Sequence, residues 1–370
     1  TTVTRNVGLD FTLFDGRLSG NAEAYINTTK DLLIEFPVNG TGYDTQYRNM
    51  GETENKGLEF AINYVIVDKE NFGLNFSANI SMNRNEIKDL GQMEVFDAET
   101  YWASSEIGTD YKIEVGGRVG KMYGYKNAGR YEADDFEGFI DGKWVLKEGI
   151  ADASAIVGSV RPGTMKILDL EEDGVIDEKD KSIIGDANPL HTGGFNINGR
   201  VYGFDFGLNF NWSVGNDIYN ANKVEFTSTG KYQYRNMIDE MAEGKRWTNL
   251  RADGTISNDL DELRQMNATT TMWSPLTDRM VFTDYAIEKG SFLRLNTATI
   301  GYSLPKSIIE KVKMQKLRIY ATAYNVFCLT DYSGFDPEVS TIRKTNLTPG
   351  VDYSAYPKSR QFVVGVNVNF

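Results

Sequence analysis

The sequence predicts an all-β fold and, within that class, a transmembrane antiparallel β-barrel. Three observations favour it. The chain contains long runs of alternating apolar and polar side chains, the polar positions in those runs are mostly small and uncharged, and short and long connections follow each other in turn. Because a strand places successive side chains on opposite faces, alternation gives each strand one apolar and one polar face.

Nine runs along the chain alternate in this way. Most are about 10 residues or longer, which exceeds the usual soluble strand of about 5 to 6 residues and matches the 9 to 11 that a tilted transmembrane strand needs. We therefore expect about nine wall strands. The runs are Val7–Phe14, Leu18–Asn27, Leu58–Val67, Phe72–Met82, Thr192–Tyr202, Phe204–Val214, Ser291–Leu304, Leu317–Leu329 and Phe362–Phe370.

The polar face of these strands distinguishes two kinds of β protein. The solvated face of a soluble sandwich normally carries many Lys, Glu and Arg side chains. Here it is mostly Asn, Ser, Thr and Gly, which suit a hydrated lumen. A secreted β-sandwich that binds or hydrolyses carbohydrate stays open as the alternative, because alternation alone is a general feature of half-buried strands.

The connections between runs are of two lengths. Outer-membrane barrels join their strands by short turns on the periplasmic side and by long loops outside. This predicts two large extracellular regions, 85–191 and 219–290, with a further strand at Gly117–Tyr131 inside the first. The short or moderate connections are Asp15–Arg17, Asp68–Asn71, the corner at Gly203, and Pro305–Lys316; the long ones are Pro37–Thr53, Asn85–His191, Tyr219–Gly290 and Thr330–Ser359.

The number of predicted strands indicates whether residues 1–370 can form a closed barrel. Bacterial single-chain barrels have an even number of strands, so nine cannot close a wall. We therefore expect residues 1–370 to be the C-terminal part of a larger barrel, whose other strands pair with the edge at Thr1–Phe14.

Composition excludes several other classes of protein. The net charge of −13 opposes binding to a phosphate backbone, so we expect no nucleic-acid partner. One Cys and one His cannot form a zinc site of the usual kind. Pairs of loop acids such as Asp134 and Asp135 lie in charged segments, where solvated acids are common. We assign no catalytic residue and expect no enzymatic activity.

One acidic segment, 169–180, has the spacing of a calcium loop. Oxygen ligands fall at positions 1, 3, 5, 7, 9 and 12, and Gly174 occupies position 6, where the chain must turn sharply. The interpretation is a structural Ca²⁺ site, with Mg²⁺ as a competitor. The alternative is an acidic turn in which Asp177 caps a short helix, Glu178–Ile184. The predicted ligands are Asp169, Glu171, Asp173, the carbonyl of Val175, Asp177 and Asp180.

Aromatic residues in the predicted loops are candidate substrate contacts, because aromatic rings stack on sugars. Tyr101, Trp102 and Trp247 are the candidates, and packing within the loops is the alternative for each.

Several separate motifs resemble one family over nearly the whole chain, from Gly8 to Phe370. Together they are similar to the C-terminal barrel portion of a SusC/RagA-type TonB-dependent outer-membrane transporter of the Bacteroidetes type. The motifs are Asn49-Met-Gly-Glu52 with Asn55-Lys-Gly-Leu-Glu59, Asp173-Gly-Val-Ile-Asp177 with Ile184-Gly-Asp-Ala-Asn-Pro189, Gly215-Asn-Asp-Ile-Tyr-Asn220, Asp331-Tyr-Ser-Gly-Phe-Asp-Pro-Glu338, Tyr356-Pro-Lys-Ser-Arg360, and a final alternating strand that stops at Phe370.

The resemblance implies a 22-stranded barrel in the bacterial outer membrane, filled by an N-terminal plug. It implies import of oligosaccharides or oligopeptides, a SusD-like surface lipoprotein as partner, and energy coupling through TonB–ExbB–ExbD. It also implies that Phe370 is the outer-membrane assembly signal. No plug or TonB-box sequence occurs in residues 1–370, so we expect another polypeptide segment to supply them.

Overall fold

The structure is a computed structural model that describes residues 1–37, 42, 45–102, 106–230, 234–341 and 345–370. Nine strands form one antiparallel sheet in which each strand pairs with its neighbours along the chain. They coincide with the nine predicted runs, so the all-β prediction is confirmed. The strands are β1 (Thr2–Leu13), β2 (Leu18–Pro37), β3 (Thr45–Lys69), β4 (Phe72–Asp89), β5 (His191–Val201), β6 (Phe204–Val214), β7 (Phe292–Ser303), β8 (Lys316–Thr330) and β9 (Gln361–Asn369).

Strands β2, β3 and β4 extend well beyond the apolar runs that predicted them. They contain 20, 25 and 18 residues, more than the roughly 9 to 11 that cross a membrane. The predicted loop Pro37–Thr53 is therefore wrong for residues 45–53, which continue the ladder of β3 against β2. Most of the remaining connection, at 38–41 and 43–44, lies outside the described residues. Backbone pairing continues here although the apolar alternation has stopped.

The register of the sheet gathers the apolar side chains on one face. A single row of paired residues crosses all nine strands without a charged or strongly polar member. The row is Leu13, Leu18, Tyr64, Phe76, Ile197, Leu208, Ala298, Ala323 and Phe362.

This apolar face is not covered by protein. Ile300 is 57% exposed in a strand that pairs on both sides, and Val364 is 77% exposed in the last strand of the sheet. A soluble protein rarely leaves so large a contiguous apolar surface in water. In a sandwich, a second sheet would pack on this face, and the described residues contain none there. The geometry favours the barrel wall over the sandwich.

Short and long connections alternate along the sheet. Residues 70–71 join β3 to β4 and residues 202–203 join β5 to β6, whereas 90–190 and 215–291 are long. The first long region begins after Asp89, not at Asn85, because β4 continues to that point. The predicted strand Gly117–Tyr131 is split between two small sheets, as Lys121–Gly124 and Asn127–Arg130.

The long connections hold the remaining secondary structure. The short strands are Val95–Ala98, Tyr111–Glu114, Lys121–Gly124, Asn127–Arg130, Phe136–Ile140, Lys143–Leu146, Met165–Ile167, Ser182–Asp186, Asp217–Asn220, Ile287–Lys289 and Val351–Asp352. The α-helices are Ser154–Val157, Ala221–Glu225, Leu260–Met266 and Lys306–Ile309, and the 3-10 helices are Ala133–Asp135, Glu178–Asp180, Asp239–Met241, Asp284–Ala286 and Glu310–Val312. None of the helices in the described ranges is long and apolar enough to cross a membrane.

The buried core lies in these connections rather than under the sheet. One cluster joins Tyr111 of the first long region to Tyr219 and Phe282 of the second and to Val351 of the last. Trp102 donates a hydrogen bond from Nε1 to the Tyr219 hydroxyl at 2.7 Å. The loops therefore pack on one another as a folded body.

The exposed apolar face leads to a prediction for two adjacent residues. In the whole protein in a lipid bilayer, Ile300→Lys places a charge in the lipid-facing band and should cost up to about 2–4 kcal/mol, the range for a lysine at the bilayer midplane. Thr299→Lys is the matched control, because Thr299 lies on the polar face and loses only its contact with the Thr322 hydroxyl. Heat-modifiable gel migration and outer-membrane abundance measure the effect. Equal losses for both variants would contradict the assignment of faces.

Candidate functional site

The polar face of the sheet carries a ladder of amide side chains. Asn196 on β5 donates to the Ser77 hydroxyl at 3.2 Å and accepts from Asn209 on β6 at 2.5 Å. Asn296 on β7 donates to Asn211 at 2.8 Å. These groups are neutral and have hydrogen-bonding capacity to spare for water. The arrangement gives a wet surface opposite the apolar band, as the sequence predicted for a lumen.

At the loop end of this face, a buried arginine organises the chain. Arg294 on β7 is 3% exposed and donates from Nη2 to an Asp336 oxygen at 2.6 Å. Its Nε lies 2.8 Å from a Glu338 carboxylate oxygen. Asn211 of the amide ladder also donates to Glu338, at 3.1 Å. The segment that contains Asp336 and Glu338 is thereby held against the polar face.

A β-bulge in β8 completes this network. The register against β7 shifts between Leu295 and Thr297, and Asn325 takes a left-handed φ of 51°. Its side-chain oxygen accepts from Arg294 Nη1 at 2.5 Å, and its amide donates to the Lys358 carbonyl at 3.0 Å. Two of the motifs that carried the resemblance, 331–338 and 356–360, thus meet at Arg294 and Asn325. Neither Arg294 nor Asn325 belongs to a motif in the sequence, so sequence reasoning missed both.

The acidic loop 169–180 folds as a tight turn closed by its own backbone. Asp169 accepts hydrogen bonds from Glu172 N at 2.7 Å and from Gly174 N at 2.8 Å, and Gly174 has a φ of 84°. The buried Asp180 accepts from Leu170 N and Asp177 N, both at 2.8 Å. The predicted helix Glu178–Ile184 is only the 3-10 turn Glu178–Asp180, capped by Asp177. The rest belongs to the strand Ser182–Asp186.

A bound Ca²⁺ requires about six to eight oxygen ligands around one point. No group of three Asp, Glu, His or Cys side chains is placed to hold a metal ion in the part of the chain that the structure describes. The Lys179 ammonium lies 3.7 Å from Glu171 and 3.8 Å from Asp177, so a cation of the protein already occupies that side. Binding of Ca²⁺ would require these carboxylates to draw together around one point. The calcium site stays a prediction from residue spacing.

Two of the three aromatic candidates are packing residues in this structure. Trp102 is 4% exposed, and its ring packs against Tyr219 and Tyr353. Trp247 is 2% exposed, and the Arg130 guanidinium lies 4.7 Å from the centre of its ring. Both rings are buried, which does not agree with a role as sugar-stacking surfaces. The ring faces that would stack on a sugar already pack against other loop residues. Tyr101 is more accessible, at 38%, and its role as a substrate contact stays a prediction.

The loop core also contains a buried carboxyl group. Asp110 accepts hydrogen bonds from Thr100 N at 2.9 Å and from the Thr100 hydroxyl at 2.5 Å. Burial raises the pKa of Asp110 to about 7, against the lowering effect of those bonds. Because Thr100 precedes Trp102 closely, this pair fixes the chain beside the buried indole.

A cavity of about 1560 Å³ opens between the two long regions. Trp144, Arg161, Leu250 and Leu276 are among the residues that line it. The cavity belongs to the loops, since no residue of the nine-stranded sheet lines it. The structure thus presents two surfaces, a wet wall below and a folded loop body with a cavity above.

Comparisons with known proteins agree with this geometry. A family model described as "TonB dependent receptor-like, beta-barrel" matches residues 1–153. The chain is 31% identical to TonB-dependent receptor P3 of Formosa agariphila, over 99% of this chain and 34% of that protein. It is 28% identical to TonB-dependent receptor SusC of Bacteroides thetaiotaomicron, over 100% of this chain and 32% of that protein. The resemblance to SusC/RagA-type transporter barrels is confirmed.

A solved structure shows the same fold. The chain matches the structure of the RagAB peptide transporter with a TM-score of 0.72 and 24% sequence identity, over 100% of this chain and 35% of that one. The predicted position in the bacterial outer membrane, as a multi-pass SusC/RagA-type β-barrel, is confirmed with the family resemblance. The chain spans about a third of the length of the curated relatives it matches.

The Arg294 network leads to a prediction. Arg294→Met leaves Asp336 and Glu338 without their buried cation, and breaking a buried ion pair in this way costs about 3–5 kcal/mol. We expect the 331–338 segment to become sensitive to protease in the intact protein. Lys358→Met is the control, because its pair with Glu338 is half exposed and should contribute at most about 1 kcal/mol. Equal protease sensitivity of both variants would show that Arg294 does not anchor the segment.

Proposed function

We propose that this chain is the C-terminal barrel part of a TonB-dependent importer of oligosaccharides or oligopeptides. One observation carries the proposal: an apolar band covers one face of the nine-stranded sheet, and the other face is polar, with a ladder of neutral amide side chains on β5 to β7. A lipid-facing surface backed by a wet one suits a wall around an aqueous path. In this role no bond of the substrate is made or broken.

The partners follow from the same proposal. A SusD-like surface lipoprotein would close over the loop body, and TonB–ExbB–ExbD would supply energy through a plug and TonB box in a further segment. The greater length of the relatives leaves room for that segment and for the other wall strands. Phe370, at the end of the last strand and 78% exposed, would serve as the assembly signal.

Two substrate classes, oligosaccharides and oligopeptides, fit this proposal. Exposed loop aromatics such as Tyr101 favour sugars, since aromatic rings stack on them. A peptide transporter shares the fold, so oligopeptides stand beside oligosaccharides. Both are polar oligomers that a hydrated wall with many neutral amide side chains would pass.

A growth experiment tests the import proposal. The gene for the whole protein is deleted, and the strain is grown on single oligosaccharides and on peptide mixtures as the sole carbon or nitrogen source. We expect growth to fail on one class only and to return with the intact gene. The matched pair Tyr101→Ala and Tyr234→Ala then tests the candidate contact, with only the first expected to reduce uptake. Undiminished growth on every oligomer, with normal uptake of each, would overturn the proposal.

We also propose a structural cation, Ca²⁺ or Mg²⁺, at the 169–180 loop. Its support is the ligand spacing together with the sharp turn at Gly174, whose φ of 84° lies at position 6, where a calcium loop has glycine. Transport chemistry does not depend on this ion.

Chelation tests the cation. In the intact protein, we expect EDTA to expose the 169–180 loop to protease, and Ca²⁺ or Mg²⁺ to restore its resistance. Asp173→Ala should mimic chelation, while Glu137→Ala, another exposed acid of the loop body, should leave the response intact. If the loop resists protease equally with chelator and with Ca²⁺, the proposed cation site is wrong.

A further inference from the structure

The apolar face of the sheet ends abruptly at the loop end of the first four strands. The last apolar row there is Val7, Ala24, Leu58 and Met82. The next row on the same face, two residues further along each strand, is Arg5, Ile26, Lys56 and Arg84. Two residues of strand correspond to about 7 Å. Three cations therefore lie just beyond the lipid-facing band, at the level where a bilayer places its headgroups.

A small polar cavity opens beside this cationic row. Its volume is about 230 Å³, and Lys56, Arg84 and Arg118 contribute its positive charge. It forms where β5 stops pairing with β4. There Ile87 of β4 exchanges backbone hydrogen bonds with Gly116 and Gly117 instead, at 2.8 and 2.9 Å. This pairing brings Arg118 to the cavity from the first long region.

Two carboxylates near the cavity pair with lysines of the same patch. Glu54 lies 2.8 Å from the Lys56 ammonium and 3.5 Å from that of Lys88, and Glu86 lies 2.6 Å from Lys88. Glu54 and Glu86 face each other across the strands, so Lys88 relieves their repulsion.

Two of the cations are left for an outside ligand. Within the described ranges, the Arg5 and Arg84 side chains are exposed and donate to no protein group. Arg118 is only distantly paired, at 3.7 Å from Asp186. The patch thus holds five cationic side chains, Arg5, Lys56, Arg84, Lys88 and Arg118, against three carboxylates, Glu54, Glu86 and Asp186, in a chain whose net charge is −13.

We propose that this patch is a phosphate-binding site at the outer edge of the membrane band. Arginine presents a planar fork of donors that matches phosphate oxygens, and lysine adds a compact charge. The cationic row lies just beyond the lipid-facing band, where headgroups are found. This position favours a phosphorylated lipid headgroup of the outer leaflet as the source of the phosphate. Free phosphate has the same chemistry, so the experiment separates the two. The site is distinct from the import path, because the patch lies on the face opposite the amide ladder.

The test uses the whole transporter, purified and reconstituted in phosphatidylcholine nanodiscs. Three probes are titrated and followed by native mass spectrometry and calorimetry: bis-phosphorylated lipid A, the same lipid without its phosphates, and inorganic phosphate. We expect lipid A to bind and its dephosphorylated form to bind far more weakly. Lys56→Gln with Arg84→Gln should weaken lipid A binding about tenfold.

The control has the same change in charge at the other end of the sheet. Lys69→Gln with Lys316→Gln neutralises two exposed cations beside the short turns and should leave lipid A binding unchanged. Heat-modifiable migration verifies that both double variants are folded. Inorganic phosphate could instead bind as tightly as lipid A, with its binding weakened in the Lys56→Gln, Arg84→Gln variant. The patch would then bind free phosphate and not a lipid headgroup. If each of the three probes binds the two double variants with the same affinity, the proposal is overturned.

Discussion

Cross-strand register is the constraint on which the rest of this structure depends. Side chains alternate along each strand, and the register aligns Leu18, Tyr64 and Phe76 with their neighbours so that every apolar residue of the row reaches the same face. A slip of one residue in any strand would send its apolar side chains to the wet face. The short turns fix the register at one end. The long connections are then free to build a separate folded body at the other.

The two faces differ in how they are stabilised. The apolar face contacts no other protein segment in the described ranges, so lipid must supply its environment. The polar face is tied together by side chains, from the amide ladder to the buried pair of Arg294 and Asp336. A buried ion pair adds little net stability, but it strongly penalises displacement of either partner. That makes Arg294 a positional anchor for the loop that carries Asp336.

Alternation predicted the wall from sequence, because lipid contact and a wet lumen impose period two directly on the residues. It could not predict that β3 begins at Thr45, since those residues pair through the backbone without an apolar face. It also could not separate buried from exposed loop aromatics. Trp102 is buried by Tyr219, which lies 117 residues away, and no local pattern encodes that contact. Arg294 was missed for the same reason, because its partners come from later segments.

Adjacent residues of one wall strand face lipid and water in turn. Spin labels test it most directly, attached to single cysteines at positions 297, 298, 299 and 300 of the intact protein in lipid, with Cys328 replaced by Ser. Power saturation then compares access of oxygen, which concentrates in lipid, with access of a water-soluble nickel complex. We predict nickel access at 297 and 299 and oxygen access at 298 and 300. Equal nickel access at all four positions would show that the two faces of this strand do not contact lipid and water in turn.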